Sequence, residues 1–290
     1  MKLIHILAVA VFVSSVSLCA QDESVRVQLV VPDSDTVQIV TLKDGTVLNG
    51  RIISISSETV VFQAAVGDIT VKISQIKNVK SIPVSMVRRG EYWFPNPNAT
   101  RLFIAPTGRM LNQGDGYFQN IYIFFIGGAF GVTDNITIGG GSSIVPGTSQ
   151  VYYVTPKVGF EVAKNINIAA GTLFAGSTEE SEHVGIHYAV GSFGTREGSL
   201  TLGVGYGYAG SDVSSKPIFV IGGEKRFSKR LAVVTENWLI PHSDAPLASF
   251  GIRFLGESLA ADLGLWRPLS GDTSGWGLGF PYVDFVVNIK

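Results

Sequence analysis

The stretch Leu200-Thr201-Leu202-Gly203-Val204-Gly205-Tyr206-Gly207-Tyr208 decides the fold. Leu200, Leu202, Val204, Tyr206 and Tyr208 share one parity, while Thr201, Gly203, Gly205 and Gly207 share the other. Successive side chains of an extended chain point to opposite faces, so this is a strand with one apolar face and one polar or side-chain-free face. A tight connection, Thr195 to Gly198, precedes it, and a longer polar one, Gly210 to Lys216, follows. The same rhythm runs through residues 101–290. Tight connections fall at 133–135, 163–165, 195–198, 228–230 and 256–258, alternating with longer ones at 107–116, 146–150, 176–182, 210–216, 241–246 and 268–274. An antiparallel meander places alternate connections at opposite ends, so one end is trimmed and the other elaborated. That is the pattern of an outer-membrane β-barrel with periplasmic turns and external loops.

Segments counted from Arg101, with the second ending at Thr133, predict an all-β chain: a transmembrane antiparallel up-and-down barrel of about twelve strands over residues 101–290. Its neighbours supply the faces. Tyr152, Val154, Val158, Phe160 and Val162 oppose Thr155, Lys157, Gly159 and Glu161; Val184, Ile186, Tyr188 and Val190 oppose His183, Gly185, His187, Ala189 and Gly191. The apolar sets are expected to face lipid and the polar and glycine sets the lumen. The same rule puts Lys157, Glu161, Glu224, Arg226, Glu236, Arg253, Asp262 and Asp284 inside. There the acids and bases would neutralise one another as a network, since an unpaired buried charge is costly. A soluble sandwich would bury the apolar set instead. The membrane reading rests on the loop asymmetry, on the N-terminal leader, and on Tyr152, Tyr206, Tyr208, Trp238, Trp266 and Trp276 as interfacial girdles near strand ends.

The leader reads as a signal peptide, 1–20: Lys2 is the positive start, Leu3 to Val13 the apolar run, and Ser14 to Ala20 the small-residue region cleaved before Gln21. Cys19 is the only cysteine, and Leu18 stands where lipid attachment normally requires a small residue. Cleavage removes that thiol, so disulfides and thiol catalysis drop out. The chain is 46% apolar and 16% charged, with a formal charge of −1. No basic excess points to nucleic acid.

Residues 24–83 have a different texture. Val25 to Val31, Val37 to Leu42, Val47 to Ser56, Thr59 to Ala65 and Ile69 to Ile73 read as five short strands, with Lys43-Asp44-Gly45-Thr46 as a hairpin turn and Ser74 to Lys77 as a helical turn. The run Leu42-Lys43-Asp44-Gly45-Thr46-Val47-Leu48-Asn49-Gly50-Arg51-Ile52 resembles the first hairpin of Sm-like, SH3-like small barrels. That resemblance implies a small periplasmic barrel; the aromatic residues that RNA recognition favours are absent. Residues 84–100 read as a linker whose Tyr92-Trp93-Phe94-Pro95-Asn96-Pro97-Asn98 lies at the periplasmic rim. Over Tyr92 to Lys290, including Thr133-Asp134-Asn135-Ile136, the chain resembles a family of uncharacterised outer-membrane β-barrel proteins of Bacteroidota-type bacteria. The resemblance implies location and fold, and no substrate. Lys290 departs from the terminal aromatic common in such barrels.

His183 and His187 share a face but lie about 13 Å apart at ~3.3 Å per residue, too far for one metal ion. Gly203-Val204-Gly205-Tyr206-Gly207 lacks the following helix that a phosphate cradle needs. His242-Ser243-Asp244 is triad-like in composition only, because adjacent loop residues do not supply nucleophile, base and oxyanion hole. No catalytic, cofactor-binding or metal-ligating residue is assigned, and no cofactor is expected. The leading expectation is a non-enzymatic outer-membrane protein for passive passage or binding of a small solute. The alternatives are a closed-barrel scaffold whose N-terminal domain binds a periplasmic partner, and a surface hydrolase. Expected partners are outer-membrane lipid, the barrel-assembly machinery during biogenesis and a periplasmic protein.

Overall fold

The computed structural model describes residues 29–88, 90–146, 148–179, 182–240, 246–269 and 279–289. The leader, His242-Ser243-Asp244, Trp276 and Lys290 lie outside the described residues. The chain divides into two compact units, Met1–Tyr92 and Trp93–Lys290.

The first unit is a five-stranded antiparallel sheet of β1 (Thr36–Leu42), β2 (Val47–Ile55), β3 (Thr59–Ala64), β4 (Gly67–Lys72) and β5 (Ile76–Pro83), in the order β4-β3-β2-β1-β5. Alternation along β1, β2 and β3 buries Val40, Ile52, Val60 and Phe62, which pack with Val71 and Ile76. Gly45 takes the left-handed turn position between β1 and β2 at φ +90°, where a side chain would be strained. The expected strand over Val25 to Val31 is corrected: its described part, Leu29–Val31, is irregular, and the fifth strand is Ile76–Pro83 after a single 3-10 turn. Apolar residues at Ile76, Val79 and Ile82 make that strand the partner of β1. A two-residue pair, β6 (Val87–Arg88) with β7 (Glu91–Tyr92), closes the unit.

The second unit is a closed antiparallel barrel. Its strands are β8 (Gly116–Ile121), β9 (Phe125–Thr133), β10 (Ile136–Ser143), β11 (Val151–Ala163), β12 (Ile166–Ser177), β13 (Val184–Thr195), β14 (Gly198–Ala209), the two-residue β15 (Asp212–Val213), β16 (Ile218–Ser228), β17 (Leu231–Leu239), β18 (Leu247–Leu255), β19 (Leu259–Pro268) and β20 (Phe280–Ile289). Each pairs with its neighbour in sequence, β15 only extending β14, and β20 returns to β8 with Ile289 opposite Gly116. Setting β15 aside leaves twelve wall strands.

That number arises from two differences that offset. No strand spans 101–106, where a single bridge joins Arg101 to Pro106, and Gly116–Thr133 is a hairpin turning at Tyr122–Phe124 rather than one long strand. Val158, Phe160, Leu202, Phe219, Phe250 and Phe285 stand exposed on the outer face, while Arg253, Glu236, Asp262 and Asp284 are fully buried. A soluble core has the opposite polarity. No helix among the described residues is long and apolar enough to cross a membrane.

Candidate functional site

The chain that precedes β8 enters the barrel interior. The stretch read as a rim linker divides: Trp93 onward belongs to the barrel unit, and Phe94, Asn96, Asn98, Arg101, Leu102 and Phe103 are buried. Residues 99–107 form a hairpin, with Leu102 N–H donating to Ala105 O at 2.8 Å and Thr107 N–H to Thr100 O at 2.9 Å. The outgoing limb then runs past Gly108 and Arg109 to β8.

Period-2 alternation delivers the wall charges to this plug. Arg253 on β18 donates from Nε to Asp262 Oδ1 at 2.7 Å and from Nη2 to Asp262 Oδ2 at 2.8 Å, and pairs with Glu224 of β16. The same guanidinium donates to Asn98 O at 3.0 Å and Leu102 O at 2.6 Å. Asn98 Nδ2 reaches Asp262 at 3.2 Å, Asn96 donates to Glu224, and Arg101 pairs with Asp284. Glu236 Oε2 accepts three consecutive plug amides, Phe103 at 2.8 Å and Ile104 and Ala105 at 3.0 Å each, while its Oε1 accepts the Trp238 indole at 2.7 Å. Three amides converging on one oxygen make a nest of the kind that holds anions, here filled by the wall's own carboxylate.

The opposite wall holds the outgoing limb. Lys157 Nζ donates to Thr107 O at 3.2 Å and Arg109 O at 2.7 Å; Gly108 N–H donates to Ser192 Oγ at 2.9 Å. Arg109 reaches Gly194 O at 2.8 Å and Thr195 O at 2.7 Å. Arg226 donates to Phe94 O at 2.8 Å and lies over the Trp93 and Phe94 rings. Of the expected interior charges, Glu161 stands apart. It is exposed and caps its own turn by accepting Asn165 N–H at 2.8 Å.

Each of the twelve wall strands carries at least one buried inward residue, from Gln119 on β8 through Thr137, Ala169, Ser192 and Thr201 to Asp284 on β20. Inward residues nearer the loop end, among them Tyr153, Thr155, Ile186 and Tyr188, are half-buried.

Two face expectations are corrected. On β13 the parity is inverted: Tyr188 pairs with Gly171 and Gly205, Val190 with Gly203 and Ser192 with Thr201, so Val184, Ile186, Tyr188 and Val190 point inward. The Tyr188 hydroxyl occupies the place a Cβ on Gly171 would take, 2.6 Å away. His187 consequently faces out and stacks on Tyr208 with centroids 4.6 Å apart, and His183 packs on Phe174 at 4.7 Å. Trp238 and Trp266 are likewise inside rather than in a girdle: Trp238 bonds Glu236, and Trp266 packs with Phe103. Tyr152, Tyr206 and Tyr208 keep the outward parity.

Sequence reasoning missed Asn96, Asn98, Arg101, Phe103, Gly108 and Arg109. The one local signal was Trp93-Phe94-Pro95-Asn96-Pro97-Asn98, with too many aromatic and amide side chains for a solvated tether. Among the described residues there is no cluster of three or more metal-binding side chains.

Fold and site together define a twelve-stranded antiparallel β-barrel with an internal plug. No protein-family model matches the chain, and no curated protein matches it. Among solved structures it is similar to the KdgM porin in complex with disordered oligogalacturonate, at 9% identity over 60% of this chain and 95% of the porin, TM-score 0.42. It is similar to the Acinetobacter baumannii outer membrane protein Omp33, at 8% identity over 61% of this chain and 95% of that one, TM-score 0.36. Escherichia coli outer membrane phospholipase A gives 8% identity over 61% of this chain and 89% of that one, TM-score 0.36.

Proposed function

We propose that this chain is a non-enzymatic outer-membrane β-barrel protein whose lumen is held shut by its own residues 93–113, the barrel serving as membrane anchor for the N-terminal unit. The observation that carries the reading is the set of hydrogen bonds that ties the plug to opposite walls, Glu236 and Arg253 on one side and Lys157 and Ser192 on the other, with a buried inward residue on each of the twelve wall strands. The apolar outer face and charged interior support placement in a bilayer, because a closed barrel satisfies every backbone group without water. On this reading outer-membrane lipid surrounds the barrel, the barrel-assembly machinery inserts it, and residues 29–92 bind a protein partner in the periplasm. The order β4-β3-β2-β1-β5, with a bulge between Ile52 and Ser54 that bends β2, supports the small Sm/SH3-like barrel reading of that unit.

The test is conductance of purified protein in planar bilayers, after fractionation and heat-modifiable gel mobility have established an outer-membrane barrel. Silent bilayers are expected, and stepwise currents from the unaltered protein would overturn the closed-barrel reading. A second reading, gated passive passage of a small polar solute, is favoured by the polar and ionic character of the plug contacts, which water can replace. Steps that appear only in a Glu236→Ala protein would favour it. The surface-hydrolase alternative rests on His242-Ser243-Asp244, outside the described residues, and is not adopted.

A further inference from the structure

The barrel wall is far from level. β8 is 6 residues long and β9 is 9, whereas β11 has 13 and β12 to β14 have 12 each. With a rise of ~3.4 Å per residue and a strand tilt of ~40°, six residues climb about 16 Å and twelve about 31 Å, against an apolar band of ~25 Å. β8 starts three residues above the tight turn, since Gly116 faces Ile289 and Phe130 while β9 runs on to Thr133. The nine residues of β9 climb about 23 Å from that turn, so the hairpin tip falls within the ~25 Å band and about 8 Å below the height the twelve-residue strands reach.

Its tip has the chemistry of that position. Ile121-Tyr122-Ile123-Phe124-Phe125-Ile126 turns the chain with no charged residue, whereas the turns at the other end carry Asp134-Asn135, Lys164-Asn165, Arg196-Glu197 and Lys229-Arg230. Ile123 is 71% exposed and Phe124 51%. The tip is firmly built: Asn120 Oδ1 accepts Ile123 N–H at 3.0 Å, the Tyr122 hydroxyl donates to Pro281 O at 2.6 Å, and Ile144 N–H donates to Phe124 O at 2.7 Å. Ile123 is held at φ +70°, a region that β-branched residues rarely adopt. An isoleucine kept exposed in that conformation is a poor choice for water and a good one for hydrocarbon.

We propose that the tip, residues 122–125, is seated in the outer leaflet and that this surface binds lipid acyl chains. The inference rests on the membrane reading above. Inside, Tyr122 packs on Tyr282 with centroids 5.7 Å apart, and Tyr282 on Phe103 at 5.1 Å. The lipid-contacting tip is thus joined through two aromatic contacts to the plug apex.

The test uses nitroxide labels at single cysteines in a Cys19→Ala background, at Ile123→Cys, at Val158→Cys on the mid-wall outer face and at Thr178→Cys in the exposed β12–β13 connection, with the full chain in phosphatidylcholine vesicles. Power saturation compares collision with oxygen, which concentrates in hydrocarbon, and with a water-soluble nickel complex. Oxygen is expected to dominate at Ile123 as at Val158, with the nickel complex dominating at Thr178. Nickel dominance at Ile123 with oxygen dominance at Val158 overturns the seated tip and leaves the barrel in the membrane. Nickel dominance at all three positions overturns the membrane reading, and the tip assignment with it.

Discussion

Arg253 and Asp262 face each other across β18 and β19 and are joined by two parallel hydrogen bonds of 2.7 and 2.8 Å, both side chains almost wholly withdrawn from water. The pair belongs to the wall, yet Arg253 also holds two plug carbonyls and Asp262 holds Asn98. Wall and plug therefore share one set of charges.

Removing one partner strands the other. Asp262→Ala leaves the guanidinium with Glu224 as its remaining carboxylate partner, and truncating a buried pair costs about 3–5 kcal/mol. The compact, fast-migrating gel form should convert to the slow form at a markedly lower temperature than in the unaltered protein. A shift no larger than that of the exposed control Asp212→Ala would show that the pair carries no weight.

Among the described residues, Glu236 is the wall acceptor for the three apex amides. Hydrogen bonds to a charged acceptor contribute about 1.5–3 kcal/mol, so Glu236→Ala should speed exchange of the Phe103, Ile104 and Ala105 amides by roughly 10- to 100-fold. Glu236→Gln, which keeps an acceptor oxygen, should fall between. Unchanged protection in the alanine protein would mean that packing alone holds the apex.

Gly108 passes so close to the wall that a Cβ there would sit 2.2 Å from Asn167 O and 2.7 Å from its carbonyl carbon. Backbone cannot step aside as a side-chain tip can. Gly108→Ala should unseat the outgoing limb, and protease cleavage near Arg109 in the folded barrel reads this directly. Resistance equal to that of the unaltered protein would place the limb elsewhere.

In the N-terminal unit, the Asp44 carboxylate accepts Thr46 N–H at 2.9 Å, and that bond holds its pKa below the ordinary 3.8. A group whose folded pKa is depressed stabilises the fold above its unfolded pKa, and loses that contribution as pH falls through the folded value. The β1–β2 turn should accordingly loosen only below about pH 3.8, and Asp44→Ala should abolish that step. The amide shift of Thr46 followed by NMR gives the midpoint; one at or above 3.8 would be fatal to this account.

The barrel was legible because it is written in period 2, a local property. Glu224, Glu236, Arg253, Asp262 and Asp284 could be placed by parity alone, since charge on one face and bulk on the other leave one register. β13 was misread because both its faces carry small or apolar residues, so the decision passed to its neighbours: Gly171 and Gly205 leave room for Tyr188 inside. Trp238 and Trp266 followed the same logic, taking interior places beside Glu236 and Phe103 rather than the interface. The plug was illegible for a deeper reason. Residues 93–113 have no period, and the side chains of Asn96 and Arg101 find their carboxylate partners 128 and 183 positions away.

Those separations also set an order of events. The plug is made before any barrel strand, but Glu224, Glu236, Arg253, Asp262 and Asp284 come from the last five strands. Contacts so distant along the chain form slowly, after the local hairpins between them. The plug must wait beside a half-built sheet and be enclosed as β20 zips onto β8. A chain whose first and last strands met too early would leave it stranded outside an empty ring.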